Sequence, residues 1–242
     1  FHLYDPVAQY IPSFAGLQVY KDSTEAGIEL VDTVRPVTVR DLFTHTAGLT
    51  YGWIGNTPVH RMYSSALASK STGTLAEMIP LLTGLPLLYQ PGQGREESIS
   101  MDVLGYLIEV LSGMPLDLFF EKRIFEPLGM MDTAFFVPQN RLERAAIMYR
   151  QDEAGRLKAL GPPRIDPPIY LSGSGGLVST ASDYLRFCQM LMGQGELENT
   201  RLLSRKTVEL MTVNHLPAEL LPYAADPNAQ GYGWGLGFAV MV

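Results

Sequence analysis

Residues Leu42–Leu49 read LFTHTAGL. The stretch describes the end of a helix and the exit of the chain from it. Thr38 stands ahead of an apolar-periodic run with Asp41 three residues on, a start in which a threonine hydroxyl and a carboxylate satisfy the first free N–H groups. His45 and Thr46 are predicted in the last turn, and Gly48 is predicted to release the chain, because glycine tolerates the left-handed conformation that ends helices. Beyond it, Tyr51-Gly52-Trp53 forms an aromatic, glycine-loosened segment.

Two further stretches have the same density of local signals. Ile124–Thr133 reads IFEPLGMMDT: a helix, a stop at Pro127, a turn at Gly129 and an apolar methionine contact. Ser172–Phe187 reads SGSGGLVSTASDYLRF, a glycine-rich turn running into a helix that Thr180 and Asp183 cap. Glycines at 173, 175 and 176 permit close backbone approach. A phosphate loop is the competing reading of that turn, and it fails because no Lys-Ser/Thr follows the glycines.

Between these stretches the caps predict the remaining helices. Thr74 with Glu77 forms a capping box, with Pro80 set to kink or shorten that helix. Ser100 opens a run with Val103, Leu104, Leu107, Ile108 and Leu111 on one face, closed by Gly113. Pro115 suits a first helical turn, leading into Leu116–Phe125. The helix after Thr180 is expected to carry Leu185, Cys188 and Leu191 inward, and Ser204 starts a last short one. Strand signals are fewer. Ala145–Arg150 and Arg156–Leu160 flank the turn Asp152-Glu153-Ala154-Gly155, a predicted hairpin. Trp234–Val242 reads as one entering strand. Loops are predicted around residues 86–94, 161–168 and 222–231.

The 242 residues are 46% hydrophobic and 18% charged, the balance of a globular chain able to bury a core. The net charge of -7, with scattered Lys and Arg, argues against a nucleic-acid partner. No apolar run reaches the length of a membrane span. The single cysteine, Cys188, excludes an internal disulfide and is expected in the core. His45 has two readings, a general base or metal ligand and a packed histidine at a helix terminus. The absence of a second His or Cys at ligand spacing favours packing. No metal or other cofactor is implied.

In this order and at these spacings, the three stretches resemble the serine β-lactamase and penicillin-binding-protein superfamily, on its class C-like branch near the family VIII carboxylesterases. The resemblance runs from about Asp5 to Phe238 and implies an α/β (α+β) fold, a helical lobe plus part of an antiparallel sheet, as one domain over residues 1–242. It implies hydrolysis of an ester or amide of a small molecule through an acyl-serine. It places Tyr51 and Trp53 on a loop that reaches the substrate cleft, and Ser174 and Gly175 on the turn that borders it. It also aligns Asp102-Val103-Leu104-Gly105 with a helix that comes after a tyrosine assisting proton transfer. That tyrosine position holds Glu97 here, and a commonly aromatic position two residues earlier holds Arg95.

The nucleophile of this superfamily is the serine of Ser-x-x-Lys, activated by a lysine one turn on. Lysines stand at 21, 70, 122, 158 and 206, and three residues before them stand Gln18, Leu67, Phe119, Gly155 and Leu203. The motif is therefore not in these residues. The resemblance places it before Phe1, and a Lys-Thr-Gly-type strand after Val242. It also leaves apolar faces of the Ser100–Ser112 and Thr180–Met192 helices for other segments or a partner chain to cover. A non-catalytic binding or scaffold protein on the same fold is the alternative that Glu97 and Arg95 favour.

Overall fold

The structure, a computed structural model, describes residues 1–24, 27–68, 73–161, 163–222 and 230–242. Pro162 of the predicted 161–168 loop, and residues 223–229 of the predicted 222–231 loop, lie outside the described residues.

The chain begins with short turns whose Val7, Ile11, Phe14 and Leu17 point into the core. Strands β1 (Gln18–Thr24) and β2 (Gly27–Asp32) then form an antiparallel hairpin, with a register irregularity between Tyr20 and Asp22. This hairpin is not among the sequence expectations. Its second strand is mostly exposed along its length, so it lacks the in-out alternation that marks a half-buried strand. On its other side, β1 meets the segment at Leu87 in parallel: the Tyr20 N–H donates to the Leu87 carbonyl and the Leu87 N–H to that of Gln18.

Helix α1 (Val39–Phe43) starts at Thr38 with the predicted capping box. It stops earlier than predicted. Thr44 closes it, and His45, not Gly48, first takes the left-handed conformation, at φ 57°. Gly48 is needed one turn later. There φ is 85°, and a Cβ would sit 2.5 Å from the Tyr89 carbonyl oxygen.

Helix α2 (Pro58–Leu67) is also absent from the sequence expectations, although Thr57 and Pro58 form an N-cap and first-turn pair. Helix α3 (Leu75–Thr83) has the predicted capping box and accommodates Pro80. Helix α4 (Ser100–Ser112) ends as predicted at a left-handed Gly113. Its Val103, Leu104 and Leu107 are buried, but Leu111 is exposed.

Helix α5 (Leu116–Phe120) runs through a π-helical turn, Glu121–Phe125, into α6 (Glu126–Leu128). Pro127 therefore does not stop the helix. The wider turn before it alters the hydrogen-bond pattern, and Pro127 falls in a first turn where its missing N–H costs little. Gly129, at φ 66°, ends the run.

The predicted hairpin is present as β3 (Tyr149–Gln151) and β4 (Leu157–Ala159), with Asp152 accepting from the Ala154 and Arg156 N–H groups in its turn. Helix α7 (Ala181–Met192) starts at Thr180 as predicted and packs Leu191 against the core as expected, but its buried residues are Asp183 and Met190. Leu185 is 55% exposed and Cys188 only half-buried, because the phase of an amphipathic pattern does not say which flank meets the core. Strands β5 (Glu196–Leu197) and β6 (Thr200–Arg201) form a small hairpin ahead of α8 (Arg205–Met211). The predicted strand Trp234–Val242 is instead a hairpin, β7 (Tyr232–Trp234) with β8 (Ala239–Met241), turning through residues 235–238. Each sheet among the described residues has two strands.

The main core joins the N-terminal turns to α1, α2, α3 and α4, around Leu42, Tyr63, Met78, Leu82, Ile99 and Val103. A smaller one packs Phe125, Leu128 and Met130 on Met190 of α7. Val110 and Leu111 of α4, and Tyr184, Leu185 and Met192 of α7, remain exposed. Among the described residues, no single helix is long and apolar enough to cross a membrane.

Asp41 locks α1 in place. It is buried and accepts from Arg35 at 2.6 and 2.9 Å, from the Thr38 N–H and hydroxyl at 2.8 and 2.7 Å, and from the Thr46 hydroxyl at 3.1 Å. Burial alone raises its pKa, but Arg35 and Thr38 more than offset this and hold it below the usual carboxylate range. Asp41→Ala leaves several buried donors unpaired and is expected to cost about 3 kcal/mol in urea unfolding. Arg35→Ala is expected to cost less than Asp41→Ala, since the carboxylate keeps its bonds from Thr38 and Thr46 when the part-exposed guanidinium is lost. A depressed carboxylate stabilises above its unfolded pKa, so the Asp41→Ala deficit should shrink as pH falls through the folded value.

Candidate functional site

A buried carboxylate organises the region around the glycine-rich turn. Asp102 lies in the first turn of α4 and has no exposed surface. Tyr170 and Ser172 donate to one of its oxygens at 3.0 and 2.7 Å, and the Ser174 hydroxyl donates to the other. The Ser174 N–H donates in turn to the Ser172 hydroxyl at 3.1 Å, which curls the turn onto itself. Gly173 makes the approach possible, for a Cβ there would collide with the Met101 carbonyl of α4. Burial and the neighbouring Asp102 raise the Tyr170 phenol well above the ordinary tyrosine range.

Tyr51 adjoins this cluster. Its phenol is hydrogen-bonded to Ser174, and its ring stacks on Trp53 with centroids 5.7 Å apart. Burial first, then the charges of Asp102 and Glu97, push its pKa up to about 12 against the Ser174 bond, which lowers it. Trp53 is 75% exposed, so its face is presented to solvent beside Tyr51. Glu97 is exposed as well, whereas its neighbour Ser98 is fully buried. Gly175 has open space at its Cβ position and no positive φ, so neither crowding nor strain requires glycine there.

The structure thus brings together Tyr51, Ser174 and the charge of Glu97, with Trp53 on the outer side of Tyr51. Sequence reasoning missed Asp102, which served only to align the α4 start, and it missed Tyr170. An aspartate in the first turn of a helix is explained by the helix dipole alone. Its hydroxyl partners lie about 70 residues away, so no local spacing signals them.

A second polar set surrounds His45. His45 is buried, and its Nδ1 accepts the Ser98 N–H at 3.2 Å, so the ring proton of the neutral imidazole is on Nε2. The Ser98 hydroxyl lies 3.2 Å from the same nitrogen and 2.8 Å from the Ser100 hydroxyl. The Trp234 ring meets His45 edge-on at 5.6 Å and donates through its indole N–H to the Phe43 carbonyl at 3.0 Å. Arg95 lies 4.4 Å over the Trp234 ring, so the cation that occupies a commonly aromatic position still makes an aromatic contact. Glu96 is held by His60 at 3.1 Å, and His60 by the Thr57 hydroxyl at 2.6 Å, which ties α2 to the 95–98 loop. His45 is therefore a packed histidine, as the second of its two readings has it.

A match to the protein family described as Beta-lactamase extends over residues 1–242. This chain belongs to that family. A Mycobacterium tuberculosis protein of strain H37Rv is 35% identical to it over 243 residues, covering 99% of this chain and 60% of its own length. Esterase EstB of Burkholderia gladioli is 30% identical over 256 residues, covering 96% of this chain and 58% of its own length. Among solved structures, EstCE1, titled a hydrolase with promiscuous acyltransferase activity, superposes with a TM-score of 0.75 at 27% identity, covering 99% of this chain and 62% of that one. The chain spans 50–60% of the length of the curated relatives it matches. The mixed α/β fold of β-lactamase-like hydrolases, expected from the three sequence stretches, is the fold of this beta-lactamase-family chain.

The environment of His45 has a measurable consequence. Burial, then the charge of Arg95, lowers its pKa from 6.5 to about 3. Between those values the unfolded chain binds a proton that the folded one does not, so stability falls as pH falls from about 6.5 toward 3, at about 1.4 kcal/mol per pH unit. His45→Asn keeps an acceptor and tolerates the left-handed backbone. Its unfolding free energy is expected to depend less on pH between 4 and 6 than that of the parent, as measured by urea titration.

Proposed function

We propose that the protein is a serine hydrolase that cleaves a small-molecule ester or amide through an acyl-serine intermediate, and that residues 1–242 form one domain of it. The family match across all 242 residues carries this reading, and an esterase and a hydrolase with acyltransferase activity among the similar proteins support it. The nucleophile is a serine of a Ser-x-x-Lys motif outside these residues, since no lysine among them has serine three positions earlier. Tyr51 and Trp53 are assigned to the cleft wall and Ser174 and Gly175 to its border. Their grouping around a solvent-facing aromatic surface supports this. Segments outside residues 1–242 would cover the apolar residues exposed on α4 and α7. No cofactor, nucleic acid or membrane span enters this reading.

A non-catalytic binding protein on the same fold is the second reading. The observation that favours it is Glu97, an exposed carboxylate where the resemblance has a tyrosine. The two separate in one experiment. The full-length protein is treated with a serine-directed fluorophosphonate, and the labelled peptide is sequenced. The hydrolase reading expects stoichiometric labelling on a Ser-x-x-Lys serine and none within residues 1–242. Absence of any label supports the binding protein, and stoichiometric label on a serine of residues 1–242 refutes the assignment of the nucleophile.

A further inference from the structure

A mostly polar cavity of about 400 Å³ lies between α1 and the segment that follows α8, a size within the range of small-molecule pockets. Arg35, Arg40, Thr44, Thr46, Asn214 and His215 are among the residues that line it. Its walls are fixed by bonds already made. Asp41 accepts two bonds from Arg35 and one from the Thr46 hydroxyl. The Asn214 amide donates to the Leu216 carbonyl and accepts from the Leu216 and Trp234 N–H groups. Arg40 joins the two sides, since its Nη2 donates to the His215 carbonyl. The charges along the cavity do not balance. Asp41 neutralises Arg35. Arg40 is half-buried and has no carboxylate partner among the described residues, in a chain of net charge -7. Its guanidinium donates to the His215 carbonyl and lies 5.8 Å from the Tyr4 ring, and neither carries a full negative charge. Its Nε–H is buried and has no hydrogen-bond partner among the described residues. A partly desolvated cation in this condition favours a counter-anion. The other donors are committed elsewhere: the Thr44 hydroxyl to the Arg40 carbonyl, the Thr46 hydroxyl to Asp41, and the His215 Nε2–H to the Leu210 carbonyl. The guanidiniums are the donors left to a ligand, and a guanidinium can only donate.

We propose that this cavity binds a small molecule through an oxyanion, a carboxylate or phosphate group, with Arg40 as its main contact. The planar guanidinium matches the paired oxygens of either group and supplies a charge that the His215 carbonyl leaves unbalanced. Arg35 adds positive potential, reduced by its pair with Asp41. The site shares no lining residue with the Tyr51, Ser174 and Asp102 cluster, and it stands independently of the hydrolase reading. An oxyanion held here tightens the junction that Arg40 makes between α1 and His215, so its binding stabilises the folded chain.

An Arg40 that only ties His215 to α1 has no need of an anion. Isothermal titration of the full-length protein with inorganic phosphate and, separately, with succinate distinguishes the two roles. Saturable one-site binding of at least one ion is expected, with Kd of about 1 mM or below, and the tighter of the two identifies the head group. Arg40→Gln, whose amide can still donate to the His215 carbonyl, is expected to weaken binding at least about tenfold, the loss of a charge-assisted bond. Arg40→Lys keeps the charge without the fork, and its affinity is expected to fall between. Arg123→Gln removes an exposed charge from the π-helical turn and is expected to leave binding unchanged. The site is overturned by a parent that binds neither ion, by undiminished binding in Arg40→Gln, or by equal weakening in Arg40→Gln and Arg123→Gln. Thermal melts show whether each variant is folded. Should Arg40→Gln not fold, phenylglyoxal modification of the parent decides, read by peptide mass spectrometry. Protection of Arg40 by the bound ion supports the site, and modification of Arg40 at the same rate with and without the ion overturns it.

Discussion

The buried carboxylate of Asp102 is the constraint on which the site depends. An ionisable group without solvent is costly unless polar partners surround it. Tyr170, Ser172 and Ser174 provide those partners, and all three come from one short stretch that the carboxylate thereby pins to the start of α4. Gly173 is where backbone meets backbone, and a side chain there would force the two apart. The shape of the glycine-rich turn thus follows from the need to satisfy one aspartate. Tyr51 takes its place from the same need, through its bond to Ser174.

Asp41 applies the same principle to α1. It combines the cap of α1 with a two-point grip on Arg35 and a bond to Thr46, so the segment leaving α1 has little freedom. His45 is held in a left-handed conformation directly after it, between Ser98 and the edge of Trp234. The loop carrying Tyr51 therefore leaves from a rigid base.

What was legible in the sequence was local. The boxes at Thr38 and Thr74 and the starts at Thr180 and Ser204 are satisfied by residues three positions away, and all four form as read. The family was legible too, because its three stretches are dense in turn and cap residues. What was not legible depends on distant partners. Asp102 and Ser172 are 70 residues apart, and Arg95 finds Trp234 across most of the chain. Leu185 was misplaced for a related reason: an apolar position shows that a helix is amphipathic, and only the neighbouring element decides which edge of the stripe is covered. The β1–β2 hairpin escaped because its exposed second strand has no periodic signature. Around the glycine-rich turn, the sequence named Tyr51, Trp53 and Ser174 but not the carboxylate of Asp102 that Ser174 bonds to.

The two tryptophans are the only ones in the chain, and they lie in opposite surroundings. Trp53 stands in solvent against Tyr51, and Trp234 is wedged between a cation, an imidazole edge and a backbone carbonyl. Their emission is expected to separate accordingly, that of the solvent-exposed Trp53 lying to the red of that of Trp234. The molecule thus contains two intrinsic fluorophores, one stacked on Tyr51 at the surface and one at the junction of the C-terminal hairpin with α1. Changes at the exposed surface and at the hairpin junction can be followed as separate optical signals without any added dye.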